Sequence, residues 1–201
     1  MLSNFFNKAK LGIKTYGPAK AIYWLIFGYF RINRFLAYRR SLDGYMSGEK
    51  KDDELTVKFY LPGELGQLHQ NPEFNTYEAF IASHLKTSGC LVGYINERPA
   101  HIMWIFRQGD DSRLFDLGQH EAELNYCYTP PSCRGKGIYA RMIKKAAETL
   151  SKQGVSCLYM ATHETNDAAQ KAITRAGLTE VGAVTNYGVF YRPKWKDVKH
   201  E

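Results

Sequence analysis

The stretch AELNYCYTPPSCRGKGIYARMIKKAAETL, residues 122–150, decides the fold. Its first seven residues have the composition of a strand, and the TPP at 129–131 ends that strand. A glycine-rich loop, SCRGKG, follows at 132–137. Apolar residues then recur at helical spacing: Ile138, Met142, Ile143, Ala146, Ala147 and Leu150. The stretch therefore predicts a strand, a glycine-rich loop and an amphipathic helix, in that order.

The glycine-rich loop has the chemistry of a phosphate site. Glycines at the start of a helix let the backbone approach an anion, and the unpaired N–H groups there favour negative charge. Arg134 and Lys136 add two positive charges. The loop is not a Walker A motif and lacks the third glycine of the dinucleotide fingerprint, so those two kinds of nucleotide site are excluded. A tight turn without a ligand is the alternative interpretation.

A second stretch completes a family resemblance. The strand pattern CLYMA at 157–161 precedes NDAAQKAITRAGL at 166–178. Together with the loop, this order resembles the Gcn5-related N-acetyltransferase (GNAT) superfamily, whose signatures are [QR]-x-x-G-x-[GA] and N-x-x-A-x-x-x-Y-x-x-x-G-F. Five positions match these signatures: Arg134, Gly137, Asn166, Ala169 and Gly177. Three positions depart from them: Tyr139 for Gly or Ala, Ile173 for Tyr, and Leu178 for Phe.

The resemblance implies an α/β (α+β) fold with a mixed, mostly antiparallel sheet flanked by helices. Two central parallel strands, residues 122–128 and 157–161, are expected to splay apart and hold acetyl-CoA, or another acyl-CoA, between them. Backbone amides of residues 134–138 would bind the pyrophosphate, and the strand at 124–128 would pair with the pantetheine. The implied cofactor-binding residues are Tyr126, Tyr128, Arg134, Gly135, Lys136, Gly137, Ile138, Asn166 and Ala169. Asn166 as an ordinary helix N-cap is the alternative.

Direct acyl transfer requires a base for the amine and an acid for the departing thiolate. Glu123 is the first candidate base, since AEL at 122–124 resembles the strand that carries the glutamate base in histone acetyltransferases. The alternative is a solvent-facing or ion-paired carboxylate, with His163 and Glu164 as the next candidate bases. Ile173 stands where the family has its tyrosine acid, so either another hydroxyl serves, from Tyr187, Tyr126 or Tyr128, or the thiolate leaves without an acid. Cys133, beside Arg134, permits an acyl-cysteine route as a weaker alternative.

The first 50 residues differ from the rest of the chain in charge. Residues 1–51 contain ten Lys/Arg against Asp43 and Glu49, which makes this segment +8 in a chain whose net charge is +7. Residues 21–30, AIYWLIFGYF, are apolar and aromatic but too short to span a bilayer. We therefore predict a basic, helical N-terminal extension and linker at 1–50, in which residues 34–42 are either the end of a helix or a strand. An acyltransferase domain follows at 51–201 and begins with a strand at 55–60. The extension either packs on the domain or across a homodimer, or binds an anionic membrane surface.

Cysteine usage and the N-terminus place the chain in the cytoplasm, with possible peripheral contact at the inner membrane face. The four cysteines have no metal-site spacing, so no metal is expected, and no secretory signal is visible.

The predicted activity is direct N-acetylation of a primary amine on a small molecule. The preferred acceptor is an amino sugar on a nucleotide or lipid carrier, and the second choice is a protein amine. The expected partner is this small-molecule amine, and no nucleic-acid partner is expected. A long-chain N-acyltransferase and a CoA-binding pseudo-enzyme are the alternatives.

Overall fold

One seven-stranded sheet organises the described part of the chain. The computed structural model describes residues 17–19, 32–45, 54–187 and 194–195. The strands are β1 (Ile32–Ser41), β2 (Leu55–Tyr60), β3 (Gly89–Ile95), β4 (Arg98–Phe106), β5 (Glu121–Tyr128), β6 (Cys157–His163) and β7 (Thr179–Tyr187). The helices are α1 (Gly66–His69), α2 (Tyr77–Phe80), α3 (Ile138–Lys152) and α4 (Asp167–Arg175), and short 3₁₀ turns cover Pro62–Glu64, Ile81–His84 and Pro131–Cys133.

The strand order confirms the predicted fold class. The strands lie in the order β2-β3-β4-β5-β6-β1-β7. Within the described residues every neighbouring pair is antiparallel except β5 and β6, which are parallel. β3 and β4 form a hairpin, joined through Asn96 and Glu97, both with positive φ. This is a mixed, mostly antiparallel sheet with two central parallel strands.

The two parallel strands separate halfway along their length. Glu121–Leu124 of β5 pairs with Cys157–Met160 of β6, and the pairing stops there although both strands continue. At the same level β5 is irregular: Tyr126 has a φ of 48°, and the register with β4 shifts between Ile102 and Trp104. A bulge of this kind bends a strand and ends its pairing. The irregularity therefore opens a V between β5 and β6, as the sequence predicts.

The sheet begins earlier in the chain than predicted. The strand at 55–60 is β2 at one edge of the sheet, whereas β1 lies inside it, hydrogen bonded to β6 on one side and β7 on the other. The predicted strand at 55–60 is therefore confirmed, but an earlier strand precedes it in the sheet. Residues 32–41 were assigned to the N-terminal extension, yet they occupy the strand position between β6 and β7, so the sheet crosses the predicted boundary at residue 50.

Apolar side chains cover both faces of the sheet. One face packs against α3, whose predicted inner residues are all buried, and against α4, where Ile173 has 0% exposure. The other face packs against α1, α2 and the loop between β4 and β5. The two faces are called the helix face and the loop face below. Because side chains alternate along a strand, neighbouring residues of β5 serve different faces.

The apolar run at 21–30 lies outside the described residues. Within the described ranges, none of the helices combines the length and apolar composition that a bilayer span requires.

Candidate active site

A cleft of about 630 Å³ lies on the helix face, where β5 diverges from β6. Its walls are the end of β5, the glycine-rich loop, the first turn of α3 and one side of α4. The lining residues include Cys127, Tyr128, Arg134, Gly135, Gly137, Ile138, Tyr139, Asn166, Ala169, Lys171 and Arg175. The cleft therefore brings together the two sequence stretches that carry the family resemblance.

The glycine-rich loop has the geometry of an anion cradle. Gly135 and Gly137 have φ values of 77° and 69°, and Gly137 is the N-cap of α3. A Cβ at either position would meet no atom within 4 Å, so the space in front of the loop is open. Among the described residues no backbone carbonyl accepts from the N–H groups of residues 135–138. Unpaired N–H groups at a helix start bind phosphate, and the predicted role of residues 134–138 fits this geometry.

Three cationic side chains line the same cleft. Arg134, at the loop, donates from Nε to the Thr129 carbonyl at 3.0 Å, which holds its side chain beside β5. Lys171 and Arg175 come from α4, and sequence reasoning did not select them. The two residues are four positions apart in a predicted helix, so the sequence could have shown that they share one face of it. Lys136 is exposed and does not line the cleft, so its predicted role is reduced to surface charge.

Asn166 and Ala169 lie at the start of α4, where they line the cleft and also take part in capping the helix. The Asn166 side chain accepts from the Ala169 N–H at 3.1 Å, which confirms the N-cap interpretation. Both residues line the cleft. Cys133 lines it too, with its thiol 3.6 Å from the Ser132 hydroxyl. Capping therefore holds α4 in the position that forms the cleft wall.

The rings of the two predicted tyrosines of β5 both pack against the apolar cluster of the loop face, where that of Tyr128 meets Phe74 edge to face at 5.7 Å. Tyr128 lines the cleft, and its hydroxyl donates to the Glu73 carbonyl at 3.0 Å. Tyr126 does not line it: its ring packs 5.8 Å from that of Phe106 on the loop face. The left-handed backbone at Tyr126 turns the strand here, so only the backbone of this residue remains on the open edge toward β6.

Tyr139 stands where the family has a small residue, and it fills part of the cleft wall. Its ring stacks on His101 with centroids 5.2 Å apart, and its hydroxyl is hydrogen bonded to the Cys127 thiol. His101 is 1% exposed, and its Nδ1 lies 2.7 Å from the Thr129 hydroxyl. Burial lowers the pKa of His101 to about 3, so the ring is neutral at physiological pH. The unusual tyrosine is thus accommodated by a neutral, buried histidine.

Glu123 lies on the loop face of β5, one residue before the paired stretch ends. The carboxyl group is 0% exposed and accepts from the Asn125 amide and the Ser112 hydroxyl, both at 2.6 Å. Burial raises its pKa to about 7, while hydrogen bonds from Ser112 and Asn125 and the charges of Lys194 and Arg113 oppose this rise. A carboxyl group with a pKa near 7 exchanges a proton at physiological pH. The solvent-facing alternative for Glu123 is wrong.

The loop between β4 and β5 supplies the environment of Glu123, and sequence reasoning missed it. The Ser112 hydroxyl lies 2.6 Å from Glu123 Oε2 and 2.9 Å from the Phe115 carbonyl oxygen. Its single proton is therefore donated to the ionised carboxylate, or to Phe115 when Glu123 is protonated. No motif marks this loop, because its contact with β5 depends on the tertiary fold.

The remaining catalytic candidates lie apart from Glu123. His163 ends β6, four residues beyond Tyr159, the partner of Glu123, which is roughly 13 Å further along the strand. Glu164 forms an exposed ion pair with Arg34 at 3.2 Å. Tyr187 ends β7 at 47% exposure, and both β6 and β1 lie between its strand and β5. The described structure therefore does not bring His163 or Tyr187 to the buried carboxyl group.

Solved structures with this fold come from several bacteria. Similar structures include a GNAT-family acetyltransferase from Colwellia psychrerythraea (16% identity, TM-score 0.50) and GCN5-related N-acetyltransferases from Sphaerobacter thermophilus (11%, 0.54) and Kribbella flavida (15%, 0.50). The matches cover 85%, 83% and 82% of this chain. They cover 61%, 54% and 62% of those chains, so this chain spans less than two thirds of each. These likenesses show a shared fold.

The sequence itself matches a family profile. A search of curated protein sequences finds no significant match. The profile described as the Acetyltransferase (GNAT) family matches residues 45–178, which is more than half of the chain and includes β5, the cleft and α4. The chain belongs to the acetyltransferase (GNAT) family.

Proposed function

We propose that this protein transfers an acetyl group from acetyl-CoA directly to a primary amine. The observation that carries the proposal is the position of Glu123: a fully buried carboxyl group at the point where the parallel strands diverge. The cleft of the helix face opens at the same point, so a donor in the cleft and an acceptor on the loop face would meet between the strands.

The residues of the cleft fit the parts of acetyl-CoA. The open cradle of residues 135–138 would hold the pyrophosphate, and Arg134, Lys171 and Arg175 supply positive charge for the remaining phosphate. The unpaired edge of β5 after Leu124 would hold the pantetheine by backbone hydrogen bonds. Bound acetyl-CoA supplies the acetyl thioester.

Glu123 is the proposed base. An ammonium group must lose a proton before its nitrogen attacks, and a carboxyl group with a pKa of about 7 accepts one at neutral pH. Ser112 holds the carboxylate in place and, after protonation, can turn its own proton to the Phe115 carbonyl. The proton therefore stays in a satisfied hydrogen-bond network.

Tyr126 is the proposed acid, because of the tyrosines considered it is the one beside Glu123. Burial raises the pKa of its hydroxyl, the positive charge of Arg113 opposes this rise, and the negative charge of Glu123 adds to it. A neutral phenol can donate a proton to a departing thiolate, which Ile173, buried in the core, cannot do.

The acceptor that we propose first is an amino sugar on a nucleotide or lipid carrier, with a protein amine second. The test is turnover: release of CoA from acetyl-CoA in the presence of a panel of amines, with the product identified by mass. Acetyl-CoA binding without turnover of any amine would favour the pseudo-enzyme instead. Faster transfer from long-chain than from acetyl-CoA would favour the long-chain N-acyltransferase.

Glu123→Gln tests the proposed base in the same assay. The substitution keeps the size of the side chain and removes its basicity, so turnover should fall by about 10²- to 10⁴-fold. Glu180→Gln, an exposed position on β7, controls for the loss of one negative charge. A Glu123 variant within about threefold of wild type would contradict the assignment.

The basic N-terminal segment supports a further proposal, peripheral contact with an anionic membrane from the cytoplasm. The apolar run at 21–30 could insert into the surface, and the surrounding cations would be attracted to anionic lipid. Each cation near such a surface contributes up to about 1 kcal/mol to the free energy of binding. Intact protein should float with acidic vesicles at low salt, and deletion of residues 1–20 should weaken this. If intact protein ignores such vesicles, sedimentation equilibrium should show the alternative, a homodimer.

A further inference from the structure

The loop between β4 and β5 carries a cation to the mouth of the V on the loop face. Ser112 contacts Glu123, and the next residue, Arg113, places its guanidinium 4.9 Å above the ring centroid of Phe35. Phe35 pairs in register with His163, and the two rings meet edge to face at 5.6 Å. Arg113 therefore bridges the space between the buried carboxyl group and the end of β6.

Arg113 forms no ion pair at contact distance with a carboxylate among the described residues. Both Glu123 oxygens are hydrogen bonded, one to Ser112 and the other to Asn125. Arg113 is exposed, and the contact recorded for it is the cation–π contact with Phe35. A cation–π contact uses none of the N–H groups of a guanidinium as hydrogen-bond donors, so they remain able to bind a planar anion.

A second cation stands on the same side of Glu123. Trp195 donates its backbone N–H to the Leu114 carbonyl at 2.5 Å, and its ring covers Gly182 on the loop face. This anchors the exposed Lys194 beside the same loop. The positive charges of Lys194 and Arg113 both oppose the rise that burial causes in the pKa of Glu123. The loop between β4 and β5 thus holds one cation next to Ser112 and a second through the contact of Trp195 with Leu114.

These cations are separate from those of the cleft. Arg134, Lys171 and Arg175 line the cleft on the helix face, whereas Arg113 and Lys194 do not line it. Phosphates of a donor held in the cleft would therefore be matched by other side chains, which leaves Arg113 and Lys194 available to a second molecule. His163 adds a polar atom at the same mouth: its Nδ1 contacts the Thr165 hydroxyl, and its buried Nε2 has no partner in the described structure.

We propose that the acceptor is a primary amine that also carries an anionic group, a carboxylate or a phosphate, bound by Arg113 and Lys194 while its nitrogen faces Glu123. This proposal rests on the proposed function, since it names the chemical class of the acceptor for the same site. The anionic group positions the amine, and Arg113, with its planar fork, discriminates between charged acceptors and their neutral analogues.

The first test measures anion binding and needs no turnover. Inorganic phosphate and acetate are titrated by calorimetry into protein saturated with CoA, so that the cleft cations are already occupied. Wild type should bind at least one of the two anions, and the tighter one shows whether phosphate or carboxylate is preferred. Arg113→Gln should weaken that binding by about 10- to 100-fold, the range for hydrogen bonds to a charged group. Arg98→Gln, the exposed first residue of β4, loses the same charge and should bind like wild type.

The second test uses matched acceptors. Glucosamine 6-phosphate is compared with glucosamine, and 4-aminobutyrate with 4-aminobutanamide, at a pH of about 9 where Glu123 is ionised. Wild type should prefer the charged member of at least one pair in kcat/KM, and Arg113→Gln should reduce that preference by about tenfold or more. Comparing ratios removes any effect of Arg113 on Glu123 itself, because that effect is common to both members.

The outcomes separate the two proposals. Anion binding that ignores Arg113→Gln, or equal losses for charged and neutral amines, would overturn the anionic acceptor and leave the acetyltransferase standing. Arg113-dependent anion binding without turnover of any amine would support the anion site and contradict the proposed function.

Discussion

Replacing Glu123 by glutamine should stabilise the fold at alkaline pH while it removes activity. The carboxyl group is 0% exposed, and its pKa is raised from 4.5 to about 7. The folded protein therefore holds this proton more tightly than the unfolded chain does. Below pH 4.5 the group is protonated in both states and costs no stability. As the pH rises from 4.5 through 7, the folded state must either keep the proton or bury a charge, so stability falls.

The size of the effect follows from the same two values. The gap between 4.5 and about 7 corresponds to about 3 kcal/mol, at about 1.4 kcal/mol for each pKa unit. Glutamine does not titrate, so the variant avoids this loss. Any constant effect of the substitution, such as a poorer contact between the new amide and Asn125, adds equally at every pH. The pH dependence of the difference between the two proteins therefore isolates the carboxyl group.

The assay is urea unfolding of wild type and variant at about pH 4.5 and about pH 8.5. The free energy of unfolding of Glu123→Gln relative to wild type should rise by about 3 kcal/mol between these values. Glu180→Gln should show the effect of removing one exposed negative charge. A relative stability that stays constant within about 0.5 kcal/mol over this range would refute the reasoning, because Glu123 would then lack the raised pKa on which its role as a base depends.

Three further predictions concern the same region. Gly137→Asp should weaken acetyl-CoA binding by at least about tenfold in calorimetry, because its carboxylate would repel the phosphates expected at the helix N-terminus. Gly154→Asp, at an equally open glycine with positive φ, is the control and should bind acetyl-CoA like wild type. Ser112→Ala removes a hydrogen bond that lowers the pKa of Glu123, so the acidic limb of the pH profile of kcat/KM should move to higher pH, and an unmoved limb would contradict this contact. His101 should show no protonation by NMR between about pH 8 and pH 4, since burial lowers its pKa to about 3, and titration near pH 6 would show an open site.

Local sequence patterns predicted the cofactor side of the site. The apolar spacing from Ile138 to Leu150 matches the buried face of α3, and the glycines before it have the positive φ that lets the backbone turn. Asn166 caps α4 as its residue type indicates. Each of these features depends on residues within a few positions of one another, so the chain's own periodicity and capping chemistry were sufficient.

The acceptor side could not be predicted in this way. The polar loop at 109–118 has no distinguishing motif, yet it brings Ser112 within 2.6 Å of Glu123. Lys194 approaches the same carboxyl group from beyond β7. Tyr126 was grouped with the cofactor residues because the strand at 124–128 was expected to pair with the pantetheine, whereas its φ is left-handed and its ring packs on the loop face.

The sequence by itself indicated the family and the glycine-rich loop, because the motifs that identify them depend on short-range spacing, and the family resemblance then implied the two parallel strands. The tertiary structure decided that β1 enters the sheet between β6 and β7, that Glu123 is buried, and that Arg113 stands over Phe35. The physical reason is that burial, and the pKa it raises, depend on which distant segment covers a strand. A period of two residues shows which side chains share a face, but the pairing of strands and the packing of loops decide what that face meets.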